Sequence, residues 1–382
     1  MTQAATYSGY DPVRGACISV HVQNGVIQAS EPCGDHGLPL IAPGFVDLQV
    51  NGFQGYDLNS GVLDAKTVEA LSDMLSHFGV AAYLPTIITA SETDICQRLS
   101  AIREAQETHP KSRRMIAGIH VEGPAISPKD GPRGAHPEEH VRPPSQVEFD
   151  AWQVAAGGLV RMITLAPEIE GSTDFIRYVT SKGVCVALGH CDATDEDIEK
   201  AIDAGARMST HLGNGIAGTL PRHPNAIWTQ LSDDRLMASL IVDGQHLPKS
   251  TARSMIRAKG IERSILVSDS VMFAGMAPGR YTSPIGGDVQ VSENGRISIA
   301  DTPYLAGSGS SLMDIVRGFP CFTGFPLADA VIMASYNPAK LLGRTVGLAK
   351  GAPADFILFD QDEATESVTV RDIIFGGVSV LH

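Results

Sequence analysis

Short apolar runs alternate with amphipathic stretches along most of the chain. Residues 64–79, 91–109 and 194–206 have apolar positions at helical spacing, and Thr194 is a predicted N-cap. Because eight β/α units close a (β/α)8 barrel, the alternation predicts an α/β fold of the TIM-like barrel type. The eight apolar runs predicted as its strands are 45–50, 81–88, 115–122, 159–168, 184–190, 206–212, 237–244 and 264–270.

Both ends of the chain have patterns typical of β structure. Residues 16–29 predict two strands around an Asn24-Gly25 turn, and the last residues predict a strand pair. Residues 288–299 predict a further hairpin, an excursion from the barrel. We therefore expect one small accessory β-sheet built from both termini. The predicted domain bounds are 1–44 and 346–382 for the small β domain and 45–345 for the barrel.

Composition and charge narrow the class of protein. The 43 acidic and 29 basic side chains give a net charge of -14, which argues against nucleic-acid binding. No uninterrupted apolar run reaches the length of about 18 residues that predicts a membrane span, and the N-terminus lacks a signal-peptide pattern. The six cysteines form no CxxC pair. We expect a cytoplasmic protein with reduced thiols and no membrane partner.

Polar residues stand at the C-terminal ends of most predicted strands, where barrels of this type carry their active sites. Glu122 ends the third strand, His190 the fifth, His211 the sixth and Asp269 the eighth. A bound cation is the simplest way to hold such acids and imidazoles together. Glu122, His190 and His211 are therefore a predicted metal triad, suited to zinc or ferrous iron, and Asp269 a predicted general base. Each histidine alone is equally well explained as a strand-end residue bonded to backbone.

An ordered series of motifs resembles the N-acetylglucosamine-6-phosphate deacetylases of the amidohydrolase superfamily. The resemblance covers about residues 43–345, and the small β ends also fit the family's accessory domain. The order and spacing of the motifs are more specific than any single one. The motifs are VDLQVNG, HVEGPAISP, GAHPEEHVRPP, ITLAPE, ALGHCDAT, STHL with GN after it, IVDGQH, LVSDS and LAGSGSSL.

The resemblance implies deacetylation of N-acetylglucosamine 6-phosphate by a homodimer with one divalent ion per chain. Zinc is the expected metal, with iron, manganese or cobalt as alternatives. Asp269 matches the catalytic acid/base, and His136 matches the residue that polarises the acetyl carbonyl. Arg222 falls where the family has its phosphate-binding arginine, on a loop that can reach a neighbouring subunit. The implied metal ligands are Glu122, His190 and His211, and the implied substrate-binding positions are Ala135, His136, Asn214, Gly215, Arg222, Asp243, His246, Leu305, Ala306 and Gly307.

The chain departs from the family pattern at two places. Gln49 and Asn51 occupy the strand-one positions where many superfamily members carry two histidines for a second metal. Neutral amides are weaker ligands, so these are vestigial second-metal positions and the pattern resembles the one-metal branch. The stretch LGNGIAGTLPRHPN, which begins at residue 212, and Cys191 also differ from the family's common residues. The identity of the sugar is therefore less determined than the reaction type.

Other functions stay open at this point. The same amide hydrolysis could act on another N-acylated amino sugar, such as N-acetylgalactosamine 6-phosphate, and a catalytically dead sugar-phosphate-binding protein is a further alternative. A cyclic-amide hydrolase or nucleobase deaminase is disfavoured, since strand four ends in Ala166-Pro167-Glu168 without a bridging lysine. Cys191 and His190 are adjacent on a strand and point to opposite faces, which disfavours a Cys/His nucleophile.

Overall fold

The fold is described by a computed structural model for residues 4–34, 37–283, 287–302, 304–362 and 367–381. Its strands are β1 (Ala4–Asp11), β2 (Ala16–Gln23), β3 (Val26–Pro32), β4 (Leu40–Pro43), β5 (Phe45–Val50), β6 (Gly52–Phe53), β7 (Tyr56–Asp57), β8 (Val80–Ile88), β9 (Ile119–Glu122), β10 (Val160–Leu165), β11 (Cys185–Leu188), β12 (Met208–Ser209), β13 (Met237–Leu240), β14 (Ser264–Leu266), β15 (Gly279–Ser283), β16 (Gly287–Val291), β17 (Ile297–Ile299), β18 (Phe356–Gln361), β19 (Val368–Phe375) and β20 (Val378–Ser379).

Helices follow most of the barrel strands. Two 3-10 turns, Glu138–His140 and Ile261–Arg263, and a π-helical turn, Ile332–Tyr336, accompany them. The α-helices are α1 (Ala65–Ser76), α2 (Glu92–Thr108), α3 (Pro110–Met115), α4 (Gln146–Ala155), α5 (Ser172–Ser181), α6 (Asp195–Ala204), α7 (Ala226–Ser232), α8 (Lys249–Lys259), α9 (Leu312–Thr323), α10 (Leu327–Val331) and α11 (Asn337–Leu341).

The central sheet is an eight-stranded parallel barrel, as predicted. Its strand order is β14-β13-β12-β11-β10-β9-β8-β5, and each of the eight predicted apolar runs overlaps one of these strands. A parallel bridge between Val50 and Ser270 joins the two ends of this order, and the N–H of Asn51 donates to the carbonyl of Ser270 at 2.9 Å. The first and last strands therefore meet, and the C-terminal ends of all eight strands share one rim.

The barrel elements form where burial and capping favour them. All six residues of β5 are buried, because a parallel strand is covered by helices on one face and by the barrel interior on the other. Helix α6 begins at the predicted N-cap, Thr194, whose side chain accepts from the N–H of Asp197 in a reciprocal capping box. The predicted alternation of strands and helices is thus confirmed.

The second sheet combines strands from both ends of the chain, in the order β20-β19-β18-β4-β1-β2-β3. Asn24 and Gly25 both have positive φ, 53° and 72°, as a tight two-residue hairpin turn between β2 and β3 requires. The sequence predicted neither β1 nor β4. Strand β4 has only four residues, which end in Pro43, and these give almost no periodic signal, yet the strand pairs with both β1 and β18.

The excursion after β14 is a three-stranded antiparallel sheet, β15-β16-β17. Strands β16 and β17 are the predicted hairpin, and Val289 and Ile299 from these strands reach the wall of the large cavity described below. In the described ranges, no helix has both the length and the apolar character that a membrane crossing requires.

Candidate active site

A cavity of about 820 Å³ opens at the C-terminal ends of the barrel strands. This volume lies within the range of ~300–1,000 Å³ that small-molecule sites usually have. Its floor includes Glu122, His190, His211 and Asp269, which lie at or just after the C-terminal ends of four different strands. The cavity therefore stands where a (β/α)8 barrel places its active site.

Glu122, His190 and His211 form a compact buried triangle. Glu122 Oε1 lies 3.2 Å from His190 Nε2 and 3.1 Å from His211 Nε2, and the two Nε2 atoms are 3.0 Å apart. Burial alone would raise the pKa of Glu122, but hydrogen bonds with the two histidines and their charges outweigh it and hold this pKa well below its usual range. Burial alone would lower the pKa of His211, but the hydrogen bond with Glu122 and the negative charge of Glu122 raise this pKa above its usual value.

These donor atoms suit a divalent cation. His190 Nδ1 donates to the carbonyl of Pro132 at 2.9 Å, so Nε2, which faces Glu122, is the nitrogen that can exchange its proton for a metal ion. Two imidazole nitrogens and a carboxylate oxygen then converge on one point, a donor set that zinc and ferrous iron prefer. The chemistry of the donors therefore supports a metal site, and the identity of the metal is a separate question.

The backbone at the site is strained. His190, His211 and Asp269 have φ values of 50°, 28° and 49°, in the left-handed region that side chains other than glycine seldom adopt. Gly215 packs so closely on His190 that a Cβ at this position would come within 2.9 Å of His190 Nδ1. Such strain persists only where surrounding structure enforces it, and it concentrates at functional sites.

Two amide side chains of the first barrel strand and the loop after it face the acidic residues of the cluster. Gln49 Nε2 donates to Glu122 Oε1 at 2.9 Å, and Asn51 Nδ2 donates to Asp269 Oδ1 at 2.7 Å. The orientation of each amide follows from its partner, since a carboxylate oxygen only accepts. Gln49 and Asn51 therefore direct their amide N–H groups toward the two carboxylates.

Asp269 is buried beside the triangle. Burial, together with the charge of Glu122, raises its pKa above the usual range of an aspartate, and the hydrogen bond from Asn51 acts in the opposite direction. A carboxyl group with a raised pKa next to a metal site is suited to proton transfer near neutral pH.

His136 lies against the same cluster. Ligand atoms of His136, Glu122 and His190 all fall within 4.8 Å of one another, and the His136 and His190 rings contact edge to face at 4.3 Å between centroids. His136 Nδ1 is 2.8 Å from the hydroxyl of Thr89. Burial, with the nearby His190, lowers the pKa of His136 to about 3, which keeps the ring neutral and able to donate one hydrogen bond.

Most of the predicted substrate-binding positions line the cavity. Asp243 is among the exceptions: its carboxylate accepts from His246 Nδ1 at 2.8 Å and so orients that ring toward the cavity, which His246 lines. Arg222 is exposed and does not line the cavity of its own chain. The positions that do line it are Ala135, His136, Asn214, Gly215, His246, Leu305, Ala306 and Gly307.

The sequence analysis did not identify several polar residues that form hydrogen bonds around the cluster. His120 Nδ1 donates to the carbonyl of Leu48 at 3.2 Å, so its Nε2 must accept from the hydroxyl of Thr164 at 2.7 Å, and Thr164 lies 2.6 Å from Thr210 Oγ1. Thr89, which contacts His136, follows the second barrel strand. A polar residue after that strand was the signal that could have identified it.

The chain is similar in sequence to a known enzyme family. Residues 40–380 match the model of the amidohydrolase family. The chain is 33% identical to the N-acetylglucosamine-6-phosphate deacetylase of Bacillus subtilis (strain 168), over 85% of this chain and 81% of that protein. It is also 33% identical to the N-acetylgalactosamine-6-phosphate deacetylase of Escherichia coli O157:H7, over 85% of each chain.

Solved structures show the same architecture. A variant of N-acetyl-D-glucosamine-6-phosphate deacetylase from Mycobacterium smegmatis, in complex with N-acetyl-D-glucosamine-6-phosphate, superposes with a TM-score of 0.88 at 27% identity and covers 99% of both chains. The match therefore includes the small sheet as well as the barrel.

Proposed function

The chain belongs to the amidohydrolase family, and we propose that it is the member that hydrolyses the acetamido group of N-acetylglucosamine 6-phosphate to give glucosamine 6-phosphate and acetate. The convergence of Glu122, His190, His211 and Asp269 in one buried cluster carries this proposal. This cluster would combine three metal ligands with a proton-transfer group on one cavity floor, and hydrolysis of an unreactive amide requires both.

Glu122, His190 and His211 would hold one divalent ion, for which we propose zinc. Such an ion supplies a Lewis acid that polarises a carbonyl and acidifies water. Gln49 holds the Glu122 carboxylate in place, and the carbonyl of Pro132 fixes the tautomer of His190. We propose one ion per chain, because the amides of Gln49 and Asn51 point their donors at carboxylates.

The remaining residues would position the amide and move its protons. His136, held by Thr89, donates a hydrogen bond to the amide carbonyl. Asp269 takes a proton from the attacking water and returns it to the departing nitrogen, because an amide nitrogen leaves readily only as an amine. The hydrogen bond from Asn51 keeps one Asp269 oxygen fixed and leaves the other available for this transfer.

The sugar is the less determined part of the proposal. The E. coli relative acts, by its name, on N-acetylgalactosamine 6-phosphate, so this epimer is a second candidate substrate. We propose that His246 contacts the phosphate. We further propose a cytoplasmic homodimer in which Arg222, exposed in its own chain, reaches the cavity of the second subunit.

Acetate release by purified, metal-loaded protein tests the function. We expect the highest kcat/KM with N-acetylglucosamine 6-phosphate, a lower value with the galactosamine epimer, and a much lower one with unphosphorylated N-acetylglucosamine. Faster turnover of the epimer would identify the second candidate as the substrate. Binding of the sugar phosphates without acetate release would instead indicate a catalytically dead binding protein.

A further inference from the structure

One wall of the cavity carries a charged side chain that the proposed reaction does not use. Arg98 of α2 lines the cavity and is only 6% exposed. Its buried Nε has no hydrogen-bond partner in the part of the chain that the structure describes. No hydrogen bond or ion pair of the described residues involves Arg98, so its terminal nitrogens, rather than the fully buried Nε, are the donors available to a ligand in the cavity.

The position of Arg98 follows from helix geometry. Side chains on a helix lean toward its N-terminus, so Arg98 extends over Asp94, one turn earlier, toward the start of α2 and the end of β8. Ala90, between the end of β8 and α2, lines the same wall. The neighbouring Thr89 contacts His136, so this wall continues directly from the predicted carbonyl-binding residue.

This wall lies across the barrel from the predicted sugar positions. Strand β8 is second and β12 is sixth in the ring of eight strands, which places their ends on opposite sides of the rim. Asn214 and Gly215 follow β12. If the sugar lies on the β12 side and its amide over the central cluster, the acyl group extends away from the sugar toward β8 and Arg98.

The charges around Arg98 determine which kind of acyl group this wall favours. Burial lowers the pKa of Arg98, whereas the charges of Asp94 and Asp57 act to raise it. Both aspartates also line the cavity, so an anionic acyl end would meet two carboxylates there. A hydroxyl suits this wall better, since its oxygen accepts from the guanidinium while its hydrogen is available to a carboxylate.

We propose that Arg98 forms an acyl subsite, which favours amino-sugar amides whose acyl group carries a hydroxyl on the carbon next to the carbonyl. The inference rests on the proposed amide hydrolysis. The reaction is otherwise unchanged: the C–N bond breaks, the water oxygen bonds to the carbonyl carbon, and the products are the hydroxy acid and the free amine.

Two nearly isosteric substrates test the subsite: N-hydroxyacetyl- and N-propionyl-glucosamine 6-phosphate, which differ by a hydroxyl in place of a methyl group. Wild-type protein should prefer the hydroxyacetyl amide by about tenfold or more in kcat/KM, the effect of one hydrogen bond to a charged group. Arg98→Met keeps much of the side-chain volume but donates no hydrogen bond, so the preference should fall to about one. Arg177→Met, which changes an exposed arginine of α5, is the matched control and should keep the wild-type ratio.

The acetyl substrate, measured in parallel, separates this inference from the proposed function. If wild-type protein hydrolyses the acetyl amide but shows no preference for hydroxyacetyl over propionyl, the subsite is refuted and the deacetylase function stands. An equal loss on all three amides in Arg98→Met would place Arg98 against the sugar and also overturn the subsite. If none of the amides is hydrolysed by the metal-loaded wild type, both proposals fail together.

Discussion

The floor of the cavity and the loop after β12 are built in contrasting ways. On the floor, Glu122, His190 and His211 are buried, and their facing atoms Oε1, Nε2 and Nε2 lie within 3.2 Å of each other. Residues 212–225 are rich in glycine and proline, and Arg222 among them is exposed. The proposed metal ligands thus come from one chain, whereas the proposed phosphate contact from Arg222 would require a second chain.

Removing a floor ligand should give the largest effect. Glu122→Gln keeps the shape of the side chain but loses its charge, so we expect it to lose the metal ion and at least about 10³-fold in kcat/KM. Elemental analysis after dialysis, compared with about one equivalent in wild-type protein, measures the metal. Full metal content in this variant would contradict the assignment of Glu122 as a ligand.

Removing the proton carrier should separate chemistry from metal binding. Asp269→Asn cannot accept a proton, and we expect kcat to fall by about 10²-fold or more with metal content near that of wild type. Stopped-time acetate assays on metal-quantified protein give both values. Nearly full activity would show that another group carries the proton.

The loop prediction is expected to have a smaller and more selective effect. Arg222→Ala should lower kcat/KM for the phosphorylated substrate by about ten- to a hundredfold, because charge-assisted hydrogen bonds to the phosphate would be lost. The unphosphorylated sugar should change little. An equal loss on both sugars, or no loss on either, would remove phosphate recognition from Arg222 and weaken the contrast between floor and loop.

The smallest expected effect concerns stability. In metal-free protein at pH 8, Asp269→Asn should raise the free energy of unfolding by about 1 kcal/mol, since it removes a buried charge. The folded-state pKa of Asp269 is raised, so its ionisation destabilises the fold as pH rises, and the gain should shrink toward pH 4.

Asp301→Asn is the matched control for that measurement. Asp301 also has a positive φ, 63°, but is exposed, so its replacement should have little effect on urea unfolding at either pH. An equal gain at both positions would attribute the effect to backbone conformation rather than to buried charge.

The sequence predicts the barrel well because its strands are buried on both faces and stand out as apolar runs. The floor residues could be predicted for a related reason: strand ends of a closed barrel share one rim, so Glu122, His190, His211 and Asp269 had to lie on that rim. Strand β4 could not be predicted, since four residues carry too little pattern. The partners of Gln49 and Asn51 depend on side-chain directions across the barrel, which no local pattern encodes.

Arg98 is a second residue whose role could not be predicted from the sequence. In the sequence it stands three residues after Ile95 and four residues before Ile102, so helical spacing places it on the apolar face of α2. Only the packing of α2 on the end of β8 buries it and brings it to the cavity. Helical spacing thus indicates a buried position, whereas the cavity that Arg98 lines depends on the tertiary fold, which the spacing does not encode.

The closure of the barrel has a consequence for the order in which the molecule is made. Asn51 and Asp269, which share a hydrogen bond, are 218 residues apart, and Val50 pairs with Ser270 at the same seam. During synthesis, the N-terminal side of this seam leaves the ribosome long before its partner exists. Asp269 therefore reaches its place only after the final barrel strand has docked, so the candidate site is incomplete in a nascent chain until the ring is closed. Contacts of such long sequence separation also predict slow folding of this step.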